Sequence, residues 1–171
     1  MNEIEIVFDI IKKRRSVRHF DGRSLPNEHM EQILEAARWA PSGANAQPWR
    51  FIVVTKRNTL EEIARHCFYK VFRSRHVGEA GAVVVICADP DAGSQTYPLD
   101  AAIAGTNMTL MATSLGIGSC WIGAFEEQAL RDIVHYESYG SAKEPGILTI
   151  KTSSGPLSVL GKILRVLLNR R

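Results

Sequence analysis

The 171-residue chain contains no run of eighteen or more apolar residues, which excludes a membrane-spanning helix at the level of sequence. Cysteine is scarce: Cys67, Cys87 and Cys120 lie far apart, and their odd number leaves at least one unpaired within the chain. No Cys-x-x-Cys or Cys/His ligand spacing occurs, so neither a disulfide frame nor a metal site is expected, and a reducing cytoplasm is the expected location. Residues 1–9 lack a basic stretch with a small-residue cleavage site, so no secretory signal is read there. There is no Gly-x-x-x-x-Gly-Lys and no Gly-x-Gly-x-x-Gly, which disfavours an NTPase loop and a dinucleotide pyrophosphate loop. Repeats and low-complexity linkers are absent as well.

What remains is an ordinary globular composition, 45% hydrophobic and 23% charged, of a length that suits one domain with a real core. The net charge of +3 is unevenly placed. Residues 143–171 carry Lys143, Lys151, Lys162, Arg165, Arg170 and Arg171 against Glu144 alone, so the rest of the chain is mildly acidic. A nucleic-acid binder would spread positive charge over a face, and no such partner is expected.

Hydrophobic spacing predicts an amphipathic helix over residues 4–14 and a second after Pro26, capped by Asn27 and ended before Pro41. Residues 41–48 read as a loop, 51–55 as a buried strand, 58–66 as a helix capped by Asn58, and 82–87 as another buried strand. Continuous apolar runs of this kind indicate strands covered on both faces. Residues 99–115 form the longest helical stretch, rich in small residues, with Gly116 as its C-terminal cap. A strand at 119–122 and a helix at 126–134 follow. The order is that of an α+β sandwich, helices on the faces of a small sheet.

Three segments carry polar groups suited to binding. Lys12-Lys-Arg-Arg-Ser-Val-Arg-His19 groups Arg14, Arg15 and Arg18 around Ser16. Such cations often only complement a helix C-terminus, but guanidinium forks with a hydroxyl also suit a phosphate monoester. Ala40-Pro-Ser-Gly-Ala-Asn-Ala-Gln-Pro-Trp49 is either a plain turn-rich loop or an amide edge, Asn45 and Gln47, beside small residues that admit a flat heteroaromatic ring. Gly118-Ser-Cys-Trp-Ile-Gly-Ala-Phe125 is either a buried strand end or a place where Gly123 lets backbone approach a ligand. The five histidines share no spacing, and no nucleophile–base pair stands out.

Together these segments resemble the nitroreductase family. Arg14-Arg-Ser-Val-Arg-His-Phe20 is similar to its N-terminal signature, and Ala40 through Val54 to its most specific motif. Asp100-Ala-Ala-Ile-Ala104 with Leu115-Gly-Ile-Gly-Ser-Cys-Trp-Ile-Gly-Ala-Phe125 supplies the third, in the expected order, over residues 5–140. The resemblance implies a three-layer α+β sandwich, a central, mostly antiparallel sheet flanked by helices, in a homodimer with FMN sites between subunits. It implies that Arg14, Arg15, Ser16 and Arg18 hold phosphate and ribityl, and that Pro41, Ser42, Gly43, Asn45 and Gln47 come from the partner. Trp121, Ile122 and Gly123 would lie by the flavin near N5. It also implies ping-pong transfer from NADH or NADPH through FMN to an oxidised acceptor such as a nitroaromatic or quinone, with chemistry by the flavin and no catalytic side chain.

The resemblance changes after Phe125. Residues 133–140 are similar to the family's closing segment but follow the helix directly, so a strand and a basic loop are missing. The expected organisation is a flavin-binding domain at 1–140 and an atypical basic tail at 141–171. In that tail, residues 146–151 read as a substitute strand. Leu157, Leu160, Ile163, Leu164, Leu167 and Leu168 fall on one face of a helix, expected to dock on the dimer. Two alternatives stand beside the enzyme: a flavin-binding protein without turnover, and a membrane-surface protein using the basic helix.

Overall fold

The computed structural model describes residues 2–69, 71–134, 147–150 and 164–170, the last two segments as backbone. Helix α1 (Glu3–Lys13) opens with a capping box in which Asn2 and Glu5 each accept the other's backbone N–H. Every residue of α1 stays out of the core; Ile4, Val7, Phe8 and Ile11 are between 51% and 76% exposed.

The apolar strands β1 (Trp49–Val54) and β4 (Ala82–Ala88) pair antiparallel, Trp49 opposite Ala88 through Val54 opposite Val83. All residues of both are buried, as the apolar runs 51–54 and 82–88 require, and Arg50 of β1 is buried with them. Alternation splits them between two cores. Trp49, Phe51 and Val53 with Val84 and Ile86 meet α2 (Asn27–Arg38) and α5 (Tyr97–Ser114) through Ile33, Leu34, Ala104 and Met108. Ile52 and Val54 with Val83 and Val85 meet α3 (Arg57–Arg65) and the short α4 (His76–Glu79) through Leu60, Ile63 and Val77. This is the expected sandwich of helices, sheet and helices.

A ribbon of β2 (Phe68–Tyr69) and β3 (Phe72–Arg73) forms a separate two-stranded sheet. After α5, Gly116 takes a left-handed φ of 71° and turns the chain into β5 (Ile117–Ile122), followed by α6 (Glu127–Ile133). Gly105 is where α5 meets β5: a Cβ there would stand 2.2 Å from the Trp121 ring, so only glycine permits this spacing. The expected caps Asn27 and Asn58 are displaced. Pro26 and Lys56 hold those positions, and the helices begin at Asn27 and Arg57.

The main sheet runs β5-β7-β4-β1-β6 and is antiparallel throughout. Strand β6 (Ile147–Ile150) pairs with β1 at the edge, as the substitute-strand reading expected. The helix expected over 157–168 is corrected in its second half: Leu164–Arg170 is strand β7. It lies between β4 and β5, with Val166 opposite both Val84 and Trp121. Neither neighbour pairs with the other, so only an extended segment satisfies both rows of backbone donors and acceptors. Residues 157–163, Lys151 and the closing segment beyond Val134 lie outside the described residues.

Candidate functional site

Arg14 ends α1, its N–H still bonded to the Ile10 carbonyl at 3.0 Å, and the chain then leaves helical geometry. Ser16 forms a parallel bridge with Ser119 of β5, and the Val17 N–H donates to the Ser119 carbonyl at 2.9 Å. The approach is close because Gly118 carries no side chain; a Cβ there would touch the Val17 side chain at 3.1–3.2 Å. The basic segment is thereby seated on the sheet rather than trailing from a helix.

Arg15, Ser16 and Arg18 are exposed and Arg14 is half-buried. Arg15 donates to the Lys12 and Arg14 carbonyls, and Arg18 to the Ser16 carbonyl at 3.4 Å. No carboxylate among the described residues pairs with these guanidiniums, so most of their five donors each are available to an anion. Their field reaches buried neighbours. Burial pushes the Cys120 thiol up, against the pull of Arg18 and Arg14. Burial likewise pushes His76 down, with Arg18 and His19 adding to the effect and Glu79 opposing it. His76 packs beside Phe20, ring centroids 6.3 Å apart, and its buried Nε2 has no hydrogen-bond partner.

The loop between α2 and β1 holds a 3-10 turn, Gly43–Asn45, and three non-glycine residues at positive φ: Ala44 (51°), Asn45 (55°) and Gln47 (47°). Each such residue costs on the order of 1–3 kcal/mol and persists only where surroundings enforce it. Here Ser42 Oγ accepts from the Gln47 N–H at 3.0 Å, and the Gln47 amide donates to Asn45 Oδ1 at 3.2 Å. From outside, the Gly43 N–H donates to both oxygens of Asp100 at 3.3 Å, and Arg50 donates to the Gln47 carbonyl at 3.3 Å. Both of these residues are buried. Neither was singled out as a site residue by the sequence; both were visible only as letters of the motifs that carry the resemblance.

At the end of β5, Ile122 is buried, whereas Trp121 lies half-buried against Gly105 and the first core, which makes its side chain a packing element. Gly123 is exposed, and a Cβ built on it would meet nothing within 4 Å. No side chain among the described residues obstructs approach to its backbone.

The structure thus relates two of the three segments through one strand: 14–18 is bridged to β5 at Ser119, and Gly123 follows the last residue of that strand. The 41–47 loop hangs from the first turn of α5, and no hydrogen bond or bridge among the described residues ties it to the other two. The donor set, forked cations and a hydroxyl beside an open glycine, fits an aromatic group carrying a phosphate.

Residues 11–77 and 68–143 match the model of the nitroreductase family. A protein of Archaeoglobus fulgidus whose name carries the words NADH dehydrogenase/NAD(P)H nitroreductase is 36% identical over 138 residues, 77% of each chain. A crystal structure of a nitroreductase family protein from Clostridium novyi superposes with TM-score 0.73 at 25% identity, covering 96% of this chain and 84% of that one. A Desulfovibrio desulfuricans structure, described as a nitroreductase in complex with FMN, gives TM-score 0.70 at 25% identity over 99% and 87%.

Proposed function

This chain belongs to the nitroreductase family, and from that premise we propose that it passes electrons from NADH or NADPH through FMN to a small oxidised acceptor, such as a nitroaromatic or quinone, in ping-pong order. The observation that carries the reading is the seating of the arginine segment on β5 through Ser16 and Ser119, on the strand that ends at the open Gly123. A cofactor that carries a phosphate at one end and a flat ring at the other matches a cationic segment bridged to the strand that leads into an open glycine.

Arg14, Arg15, Ser16 and Arg18 hold the phosphate and ribityl chain by charge-assisted hydrogen bonds. The backbone of Trp121, Ile122 and Gly123 flanks the ring. Pro41, Ser42, Gly43, Asn45 and Gln47 come from a second copy and read the ring's carbonyl and N–H edge. FMN, when bound, supplies the electron-transfer chemistry, so the protein needs no acid–base pair of its own. The homodimer is supported by the unburied apolar face of α1 and by Trp39, 80% exposed. A groove of about 370 Å³ beside them is lined by Val7, Ile11, Trp39 and Met111. Apolar surface of that extent on one chain calls for a cover.

Absorption spectroscopy tests the proposal directly. The purified protein is expected to be yellow, to release FMN rather than FAD, and to bleach on addition of NADH or NADPH under anaerobic conditions. A flavin that stays oxidised with both nucleotides would mean binding without turnover.

A further inference from the structure

Asp100 lies in the first turn of α5, only 3% exposed, and faces a loop 57 residues away in sequence. Its Oδ2 accepts from Ser94 Oγ at 2.6 Å, its Oδ1 from Thr96 Oγ1 at 3.2 Å, and both oxygens from the Gly43 N–H at 3.3 Å. Ser94 is itself buried and accepts from the Thr96 N–H at 3.2 Å. Gly43 is seated flush on this cluster: a Cβ there would stand 2.8 Å from Ser94 Oγ and 3.0 Å from Thr96 Oγ1. Three donors converge on one side chain and are shared between its two oxygens; an amide, with one oxygen and an NH2 in place of the other, leaves the donors on one side unmatched. The residues that follow Gly43 are the left-handed Ala44, Asn45 and Gln47, and none is a glycine that would adopt that geometry unforced.

We propose that Asp100, with Ser94 and Thr96, is a positioning cluster that fixes Gly43 and so holds the following turn in the shape that presents Ser42, Asn45 and Gln47 to the flavin ring. This rests on the reading that the loop meets flavin. The carboxylate touches no reacting atom; it acts through the loop. A carboxylate in a helix's first turn also favours the helix dipole, so loss of stability alone would not identify the role.

The test uses the full chain and two variants, Asp100→Asn, which keeps the shape, and the milder Ser94→Ala. Dissociation constants for FMN and for riboflavin are measured by fluorescence, together with the visible spectrum of bound flavin. Asp100→Asn is expected to weaken both ligands by the same factor, about tenfold for loss of a charge-assisted contact, because the loop addresses the ring they share. Ser94→Ala shifts both constants in the same direction by less. In both variants the bound spectrum moves toward that of free flavin. Variants that melt lower yet keep wild-type constants and spectrum would make Asp100 a helix cap only and overturn the proposal. Wild-type protein that binds neither ligand overturns the flavin reading and this one together. Flavin binding that depends on Arg18 but ignores Asp100 overturns this one alone.

Discussion

A guanidinium facing a phosphate contributes through charge, and its loss is read most cleanly by comparing ligands with and without that charge. Arg18→Ala is expected to cost about 1.5–3 kcal/mol, tenfold or more, in FMN affinity while leaving riboflavin affinity nearly unchanged. Equal losses for both would make Arg18 structural. His76 offers a second test, through pH. Burial and Arg18 hold its folded pKa below the ordinary 6.5, so the unfolded chain takes up the proton first. Stability is therefore full above 6.5 and falls as the pH drops through that value, levelling only below the depressed folded pKa. His76→Gln is expected to flatten the acid side of a melting-temperature profile; an unchanged slope would show that other groups set it. The arginine cluster was legible in the sequence because its members are neighbours in the chain. Asp100 and Arg50 were not, since their importance lies in hydrogen bonds to Gly43 and Gln47 that only the folded arrangement creates.

At the scale of elements, the buried strands and the helices were readable because one period dominated each. β4 and residues 51–54 of β1 are unbroken apolar runs, and α2 buries Met30, Ile33, Leu34 and Ala37 at helical spacing. β7 was misread for a physical reason: Leu164, Leu167 and Leu168 satisfy a helical stripe, while Val166-Leu167-Leu168 equally suits a strand between two others. Local pattern does not decide such a case. The gap between β4 and β5 does. Val166→Pro removes a backbone donor where two strands converge, and is expected to abolish cooperative folding, as followed by circular dichroism. Truncation after Ile150 is expected to do the same and, with β5 left unpaired, to abolish flavin binding. A truncated protein that stays folded and yellow would show that β7 is dispensable.

For the whole molecule, the resemblance in sequence carried further than composition did. The α+β architecture followed from the order of elements, whereas the face left uncovered by one chain became visible only in the fold. Because α1 lends nothing to the core, Phe8→Glu with Ile11→Lys is expected to leave the monomer folded. The same change should shift sedimentation from dimer to monomer and release flavin with it. A charged α1 on an intact yellow dimer would place the interface elsewhere. The strand order has one more consequence, for synthesis. Strand β7 follows β4 and β5 in the chain yet lies between them, so a ribosome delivers both neighbours before the strand that joins them. Until residues 164–170 emerge, β5 and the arginine segment bridged to it have no sheet to join. The surface proposed to bind flavin is therefore expected to form only after β7 has been made, however early its own residues emerge.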